Sequence, residues 1–424
     1  MCQRWRRVIF SSPRSLHLQL FCTHGTPVRK NLGYWPPLPL IIDYYTYWGA
    51  DNSKSLTPSD EDNVVAALEN PERVRYVGIS VTSSLLGKMV TAVRKPFPEL
   101  THLWLSSKDE NVPALPDEFL GGSAPELRVA QLEGIPFPAL PTLLLSARSL
   151  VDLRLLNIPN SNHISPEAMV TSLEALPELR TLFIGFKSPT PPSNNTPSVP
   201  RTRTILSSLA SFAYHGVKDY LEDFVAQIDT PRLDYFRISY FNQLDFQVPR
   251  LSRFIDHIQN YNVGRFKHAR IDFGVNSVYV SIYGEPDELL ESHFSLQISC
   301  QALDWQVSHV AQILGQSVSM LSNVVDLSID ARDLRPDKEE YMDNSEWLEL
   351  LRPFIAAETL HVSEKLARQV ANGLASVTEQ IVAEVLPSLH SLFLEDEPVT
   401  SIERFATVRL LSGRPVTIVD GQGS

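Results

Sequence analysis

LTHLWL, residues 100–105, places leucines at its first, fourth and sixth positions. The alternation over its last three residues is strand spacing, which puts the fourth and sixth side chains on one face and the fifth on the other. LVDLRL from Leu150 and LRTLFI from Leu179 are close copies. VRYVGI from Val74, LRVAQL from Leu127, LASFAY from Leu209, LDYFRI from Leu233, VVDLSI from Val324, AETLHV from Ala357 and LHSLFL from Leu389 are weaker ones. From Leu100 to Leu233 the successive intervals are 27, 23, 29, 30 and 24 residues, an irregular but persistent period.

Segments at helical spacing lie between the strands. Leu221, Phe224, Val225 and Ile228 form one apolar stripe, Leu251, Phe254, Ile255 and Ile258 a second, and Trp347, Leu350, Leu351 and Phe354 a third. Ser165-Pro166-Glu167 supplies an N-cap, a proline at the first helical position and an acid in the first turn. A strand and a helix of this size cannot hide their apolar faces alone. Stacked neighbours join the leucine positions into one core, to which each buried Leu or Ile adds about 1.5–3 kcal/mol. The pattern therefore predicts an α/β solenoid.

The strand pattern resembles the leucine-rich repeat over roughly residues 70 to 400. That resemblance implies a horseshoe with a parallel sheet on its inner wall and helices outside. The family places Asn or Cys three positions after the last strand leucine, where this chain has Lys108, Ile158 and Val217, so regular side-chain hydrogen bonding along that row is not expected and the repeats are irregular. ARIDFGVNSVYVSIY and FSLQISC, within residues 265–300, read as strands with no long helix between them and are assigned to a hairpin-like insertion.

Composition bounds the function. The 424 residues are 43% hydrophobic and 20% charged, enough for a large core, and the longest apolar runs fall far short of the roughly 20 residues of a membrane span. Cys2, Cys22 and Cys300 form no C-x-x-C pair, which fits a reducing compartment, cytoplasmic or nuclear, and supports neither disulfides nor a zinc knuckle. No apolar secretory signal precedes the N-x-T match at Asn194. The net charge is −12, yet residues 1–42 hold six basic side chains and no acid, leaving 31 basic against 49 acidic residues beyond them. An acidic body is a poor phosphate binder, which argues against nucleic acid as a partner. The proline-rich stretch 188–204 is expected to be a disordered insertion, and the acidic run 333–346 a shorter solvated loop.

The N-terminus starts MCQRWRRVIFSSPRSLHL. Trp5, Val8 and Ile9 are at helical spacing, Ser12-Pro13 stops the helix, and Leu16, Leu18 and Leu20 alternate as a capping strand. A mitochondrial presequence is the alternative for an arginine-rich, acid-free start. The tract Trp35–Ile42, built to pack on the first repeat, weighs against it. Cys2, Trp5 and Val8 resemble the Cys-x-x-Trp-x-x-hydrophobic end of the F-box, and with TPVRKNL, SPEAMVTSLEALP and ALDWQVSHV the chain is similar to the F-box proteins with leucine-rich repeats of mushroom-forming fungi. That resemblance implies a substrate receptor of cullin-type ubiquitin ligases, whose F-box docks on the ligase's small adaptor subunit while the repeats hold the protein target. Here the F-box is truncated: its Leu-Pro start and first two helices have no counterpart, so adaptor binding is expected only if an upstream F-box exists. The expected organisation is an F-box remnant over 1–15, a capping strand and helix region over 16–69, and the repeat array with a C-terminal cap over 70–424. The competing reading is a stand-alone repeat scaffold unconnected with ubiquitination.

No catalytic constellation is found. G-x-S-x-G, H-E-x-x-H and G-x-G-x-x-G are absent, and Gly87-Lys88 lacks the rest of a phosphate loop. The eleven histidines, His102, His361 and His390 among them, include no pair at metal-ligand spacing on one element, and Glu339-Glu340 sits in the acidic loop. No catalytic, cofactor or metal residues are assigned, and the chain is read as a non-enzyme. The fifth position of each strand remains as a binding wall: Gly78, Trp104, Gln131, Arg154, Phe183, Ala213, Arg237, Ser328, His361 and Phe393. Trp, Phe and Arg anchor interfaces more often than other residues, so Trp104, Gln131, Arg154, Phe183, Arg237 and Phe393 are the candidate protein-binding residues. Tyr76, Tyr235 and Tyr240 are expected to flank them.

Overall fold

The computed structural model describes residues 18–45, 56–92, 94–137, 140, 142–159, 164–189, 203–258, 266–285, 293–331, 344–378, 380–395 and 402–420. It divides into two compact units, Met1–Thr190 with Thr204–Leu209, and Pro191–Arg203 with Ala210–Ser424.

In the first unit, β1 (Leu20–Cys22), β2 (Leu40–Asp43), β3 (Val74–Ser80), β4 (His102–Ser106), β5 (Val129–Glu133), β6 (Asp152–Ile158) and β7 (Thr181–Phe186) pair in parallel and in chain order. The segments between them carry α1 (Val28–Asn31), α2 (Pro58–Leu68), α3 (Ser83–Ala92), α4 (Thr142–Leu145) and α5 (Pro166–Leu173), and a short strand β8 (Thr204–Ile205) follows. Two parallel strands thus precede the first LxxLxL copy at Val74. Arg73 fastens the Trp35–Ile42 tract to this stack by donating to the carbonyls of Pro36 (2.8 Å) and Leu38 (3.1 Å). Ser165 caps α5 as expected, its hydroxyl accepting from Ala168 N at 3.2 Å. Thr57 and Asp60 form a reciprocal capping box at the start of α2.

The second unit contains β9 (Ser211–Gly216), α6 (Lys218–Val225), β10 (Ile228–Asp229), β11 (Tyr235–Tyr240), α7 (Pro249–His257), β12 (His268–Phe273), β13 (Ser277–Tyr283), β14 (Phe294–Ser299), α8 (Leu303–Gly315), α9 (Val318–Leu321), β15 (Asp326–Ala331), α10 (Asn344–Leu351), β16 (Thr359–Val362), α11 (Glu364–Ala375), β17 (Ser391–Leu394), α12 (Glu403–Leu411) and β18 (Thr417–Asp420). Its strand order is β9-β11-β14-β13-β12-β15-β16-β17-β18. The hairpin-like insertion is therefore a three-stranded meander laid down in reverse. β14 pairs in parallel with β11 and β12 with β15, while β13 between them is antiparallel to both, so the insertion contributes the antiparallel pairs of an otherwise parallel sheet.

Three glutamines of α8 and its C-terminal end hold this inversion. Buried Gln306 donates to the carbonyls of Gly274 (2.8 Å) and Cys300 (2.7 Å), tying the end of β12 to the end of β14. Gln312 accepts from Phe246 N (3.2 Å), and Gln316 accepts from Val248 N (2.8 Å) and donates to Phe246 O (3.1 Å), so the β11–α7 loop is clipped to the helix that follows the meander.

Burial follows the motif in both units. The first, fourth and sixth positions are buried in all ten copies, from Val74, Val77 and Ile79 to Leu389, Leu392 and Leu394. They face the helices: Phe212 of β9 lies 5.4 Å from Phe224 of α6, Phe236 of β11 5.8 Å from Phe254 of α7, and Phe273 of β12 5.7 Å from Trp347 of α10. The three helical stripes are buried, although Ile228, Ile258 and Phe354 lie just beyond the helices they extend. The leucine positions thus close repeat upon repeat, and each unit is an α/β solenoid of the leucine-rich-repeat kind.

Main-chain bonds join the repeats at both ends of the strands, and at the far end the Ser107 hydroxyl also donates to Val81 O at 2.9 Å. The carbonyl at the second motif position accepts from two N–H groups of the next repeat: Thr101 O from Arg128 N (2.9 Å) and Val129 N (3.2 Å), Arg128 O from Val151 N (2.8 Å) and Asp152 N (3.1 Å), and Glu358 O from His390 N (2.8 Å) and Ser391 N (3.0 Å). Beyond the strands, Val81 N donates to Ser106 O, Ser107 N to Glu133 O and Gly134 N to Leu156 O. Of the three substituted positions, Lys108 is exposed, Ile158 is buried within β6 and Val217 is half-buried before α6. A further regularity precedes nine of the ten motif copies: the first-position N–H bonds back three residues, five of these from Leu100 to Phe97, Leu127 to Ala124, Leu179 to Leu176, Leu233 to Thr230 and Leu389 to Leu386. In these five copies the second residue of the turn is proline, whose fixed φ suits that position.

Candidate functional site

The sheet face opposite the helices carries the fifth-position row. In the first unit, register aligns Asp43, Gly78, Trp104, Gln131, Arg154 and Phe183 on neighbouring strands. In the second it aligns Ala213, Arg237, Ser295, Ser281, Arg270, Ser328, His361, Phe393 and Val419. The meander thus inserts Ser295, Ser281 and Arg270 into a row whose other members the motif had indicated.

Each candidate sits in a distinct setting. Trp104 is half-buried, its ring centre 6.2 Å from Tyr45 at 83° and 6.0 Å from Tyr76 at 59°. Gln131 is half-buried in the middle of the first row. Arg154 is exposed, and Asp152 holds its guanidinium through Nε (3.0 Å) and Nη2 (2.9 Å). Arg237 is exposed between Ala213 and Ser295 and has no ion-pair partner among the described residues. Phe393 stacks on His361, with centres 4.3 Å apart and planes 10° apart. Phe183 is half-buried, and a Cβ at Gly185 would lie 2.7 Å from its Cε1, so the phenyl ring covers the glycine two residues on. Tyr76 covers Gly78 in the same way, its ring and hydroxyl 2.8 Å from where a Cβ would stand.

Of the flanking tyrosines, Tyr76 and Tyr235 lie on this face, Tyr235 stacked on His293 at 5.0 Å. Tyr240 does not: it is completely buried beside Phe246, because it takes the sixth position of its strand counted from Tyr235 and so alternates to the core side with Phe236 and Ile238. Cys2, Trp5 and Val8 lie outside the described residues, as do residues 190–202 of the insertion and 332–343, which include most of the acidic run.

The motif did not reveal the polar network of the meander. His215 Nδ1 meets Ser239 Oγ at 2.9 Å, Ser239 Oγ donates to Gln297 Oε1 at 3.2 Å, and Gln297 donates to Tyr279 Oη at 2.7 Å. Beside it Arg270 Nε lies 3.1 Å from both Asp272 and Asp330, and His268 lies 3.1 Å from Asp326. Burial lowers the Arg270 pKa, but the two carboxylates outweigh it and the net shift is upward. Burial lowers His215, and burial with Arg75 and Arg128 nearby lowers His102, so both rings favour the neutral form. Lys88, on α3, donates to Glu61 on α2 at 2.7 Å. No group of three metal-ligating side chains occurs among the described residues, and no helix among them is long and apolar enough to cross a membrane.

No protein-family profile matches the chain, and no curated protein matches it. Among solved structures, it is similar to the leucine-rich repeat-containing protein LegL7 from Legionella pneumophila, at 12% identity and a TM-score of 0.29, over 94% of this chain and 99% of that one. The fold assignment rests on strand register and repeat burial.

Proposed function

We propose that the chain is a non-enzymatic recognition subunit that holds a protein target on the outward sheet faces of its two units, in the cytoplasm or nucleus. The observation that carries this reading is the alignment of Trp104, Gln131, Arg154 and Phe183 in one register row and of Arg237, His361 and Phe393 in another. Aromatic and arginine side chains, presented by a sheet whose backbone is already ordered, suit hot spots. The finer reading is a substrate receptor resembling the F-box subunits of cullin-type ubiquitin ligases, supported by the Cys2, Trp5 and Val8 spacing and the resemblance of the whole sequence. A repeat scaffold without a ligase is the alternative.

The test is partner capture. Alanine at Trp104, Arg154, Phe183 and Arg237 together, all outside the leucine positions, is expected to leave circular dichroism and cooperative unfolding intact and to abolish capture of proteins retained by the wild type. Undiminished capture by the folded fourfold variant overturns the surface assignment. Co-purification of the ligase adaptor with the chain, assayed with and without in-frame upstream sequence, separates receptor from scaffold: adaptor retained by either form supports the receptor, and its absence from both supports the scaffold.

A further inference from the structure

The glycine in the first row opens a gap beside Trp104. Asp43, Gly78 and Trp104 are register partners on three adjacent strands. At about 4.8 Å per strand, the backbones of Asp43 and Trp104 stand roughly 10 Å apart, and Gly78 raises no side chain of its own between them. The Tyr76 ring floors that gap by lying over Gly78. Trp104 stands on one side and Asp43 on the other, and Tyr45, whose N–H donates to Asp43 Oδ1 at 3.1 Å, completes the set. Asp43 and Tyr45 lie close enough to Tyr76 that, after burial, their charges help to raise its phenol to about 12, so the ring stays neutral.

The ring spacing is shared by edge-to-face aromatic pairs and by rings that flank a cation, and the carboxylate at Asp43 favours the second use. A cation about 4.3 Å from the centres of two perpendicular rings, well inside the ~6 Å reach of a cation–π contact, sets those centres about 6 Å apart. Tyr45 and Tyr76 stand 6.2 and 6.0 Å from Trp104 at steep angles to it. The carboxylate adds charge complementarity that an aromatic cluster alone lacks. Arg75 and Arg128, the cations that bear on His102, belong to the opposite end of the strands. We infer that Asp43, Tyr45, Tyr76 and Trp104 form a binding site for the methylated ammonium group of a lysine side chain on the bound protein. The inference rests on the reading of this face as a protein-binding surface and adds what that surface recognises.

The test uses the full chain and a capped tripeptide, Ala-Lys-Ala with a trimethylated lysine, titrated by calorimetry and tryptophan fluorescence. Three comparison arms are the unmethylated peptide, the neutral isostere carrying tert-butyl in place of trimethylammonium, and the variants Gly78→Ala and Asp43→Asn. Gly78→Ala puts a methyl under the Tyr76 ring without touching the core, and Asp43→Asn removes the charge while keeping the acceptor for Tyr45 N–H. The expected result is saturable binding of the trimethylated peptide, at least tenfold weaker for the isostere and at least threefold weaker for each variant. No saturable binding at millimolar peptide, equal affinity for the isostere, tighter binding of the unmethylated peptide, or unchanged affinity in Gly78→Ala overturns the site. A missing peptide signal together with lost partner capture in the fourfold variant refutes the cage alone; peptide binding with undiminished capture refutes the surface reading alone.

Discussion

Glu222, on α6, is 8% exposed, and its carboxylate accepts from Arg250 N at 2.9 Å and Leu251 N at 2.7 Å. These are two of the N–H groups that the start of α7 leaves without partners inside the helix, and Val248 at the N-cap position supplies no side-chain acceptor. One repeat thus caps the helix of the next. Substituting alanine strands both donors where little water reaches them, at about 1–3 kcal/mol each. It also relieves the cost of burying the carboxylate, so the net loss expected for Glu222→Ala is about 2–3 kcal/mol. Glu222→Gln keeps an acceptor oxygen for one N–H and should lose about half of that.

Acidity separates the capping role from the charge. Burial raises the Glu222 pKa above its ordinary value, with the two N–H bonds and Arg250 opposing in part. A carboxyl whose folded pKa exceeds its unfolded one binds protons more readily when folded, so protonation favours the native state. The wild type should therefore gain stability relative to Glu222→Gln as pH falls through the raised folded pKa towards the unfolded value near 4.5, and the difference should level off below it. Urea unfolding followed by tryptophan fluorescence measures both effects, with hydrogen exchange of the α7 amides localising the loss. An alanine variant within about 0.5 kcal/mol of wild type, the scatter of neutral surface changes, refutes the inter-repeat cap.

Three further outcomes follow from the packing. Gly121 has φ +70° and a Cβ there would stand 2.2 Å from the Lys95 carbonyl carbon, so Gly121→Ala should cost about 1–3 kcal/mol or more, whereas Gly87→Ala, in α3 with open space around it, should stabilise by about 0.5–1 kcal/mol; parallel unfolding curves check the pair. Arg409 is buried on α12 and donates to the carbonyls of Leu386 (3.0 Å) and Leu389 (2.6 Å), so Arg409→Met should cost about 2–4 kcal/mol locally and appear as faster hydrogen exchange in β17 and α12. Cys22, pushed up to about 11 by burial, and Cys300, raised by burial, should resist thiol labelling at neutral pH until the chain unfolds, which peptide mapping after labelling would show.

The parts of the fold legible in sequence are those where one periodic requirement acts alone. A side chain at motif position one, four or six has no place but the core, so Leu153, Leu182 and Phe212 were assigned without knowledge of their neighbours. The turn before five of the ten motif copies was just as legible in principle, because the prolines at 98, 125, 177, 231 and 387 stand two residues before the motif. An aromatic two residues ahead of a strand glycine, as in Tyr76-Val77-Gly78 and Phe183-Ile184-Gly185, is a further local signal: the missing side chain lets the ring lie down on the strand.

The meander shows where such reading stops. The alternating residues of β12, β13 and β14 identify three strands, but alternation is blind to direction, and the same pattern serves a parallel or an antiparallel neighbour. Side chains far away in sequence tie the observed arrangement together, Gln306 reaching Gly274, and Gln312 and Gln316 reaching Phe246 and Val248. Glutamine has no preference that marks it for such work, and in α8 these residues read as ordinary polar positions of an amphipathic helix. The outward face was half legible for the same reason. Its rows follow from strand spacing, but the partners that tie Arg154 to Asp152 and Arg270 to Asp272 and Asp330, and leave Arg237 without an ion pair among the described residues, depend on two residues sharing a strand face or on which strands become neighbours. Inversion of the meander brings Arg270 beside Ser281 and Ser328 rather than beside Arg237, and so keeps two arginines of one row apart.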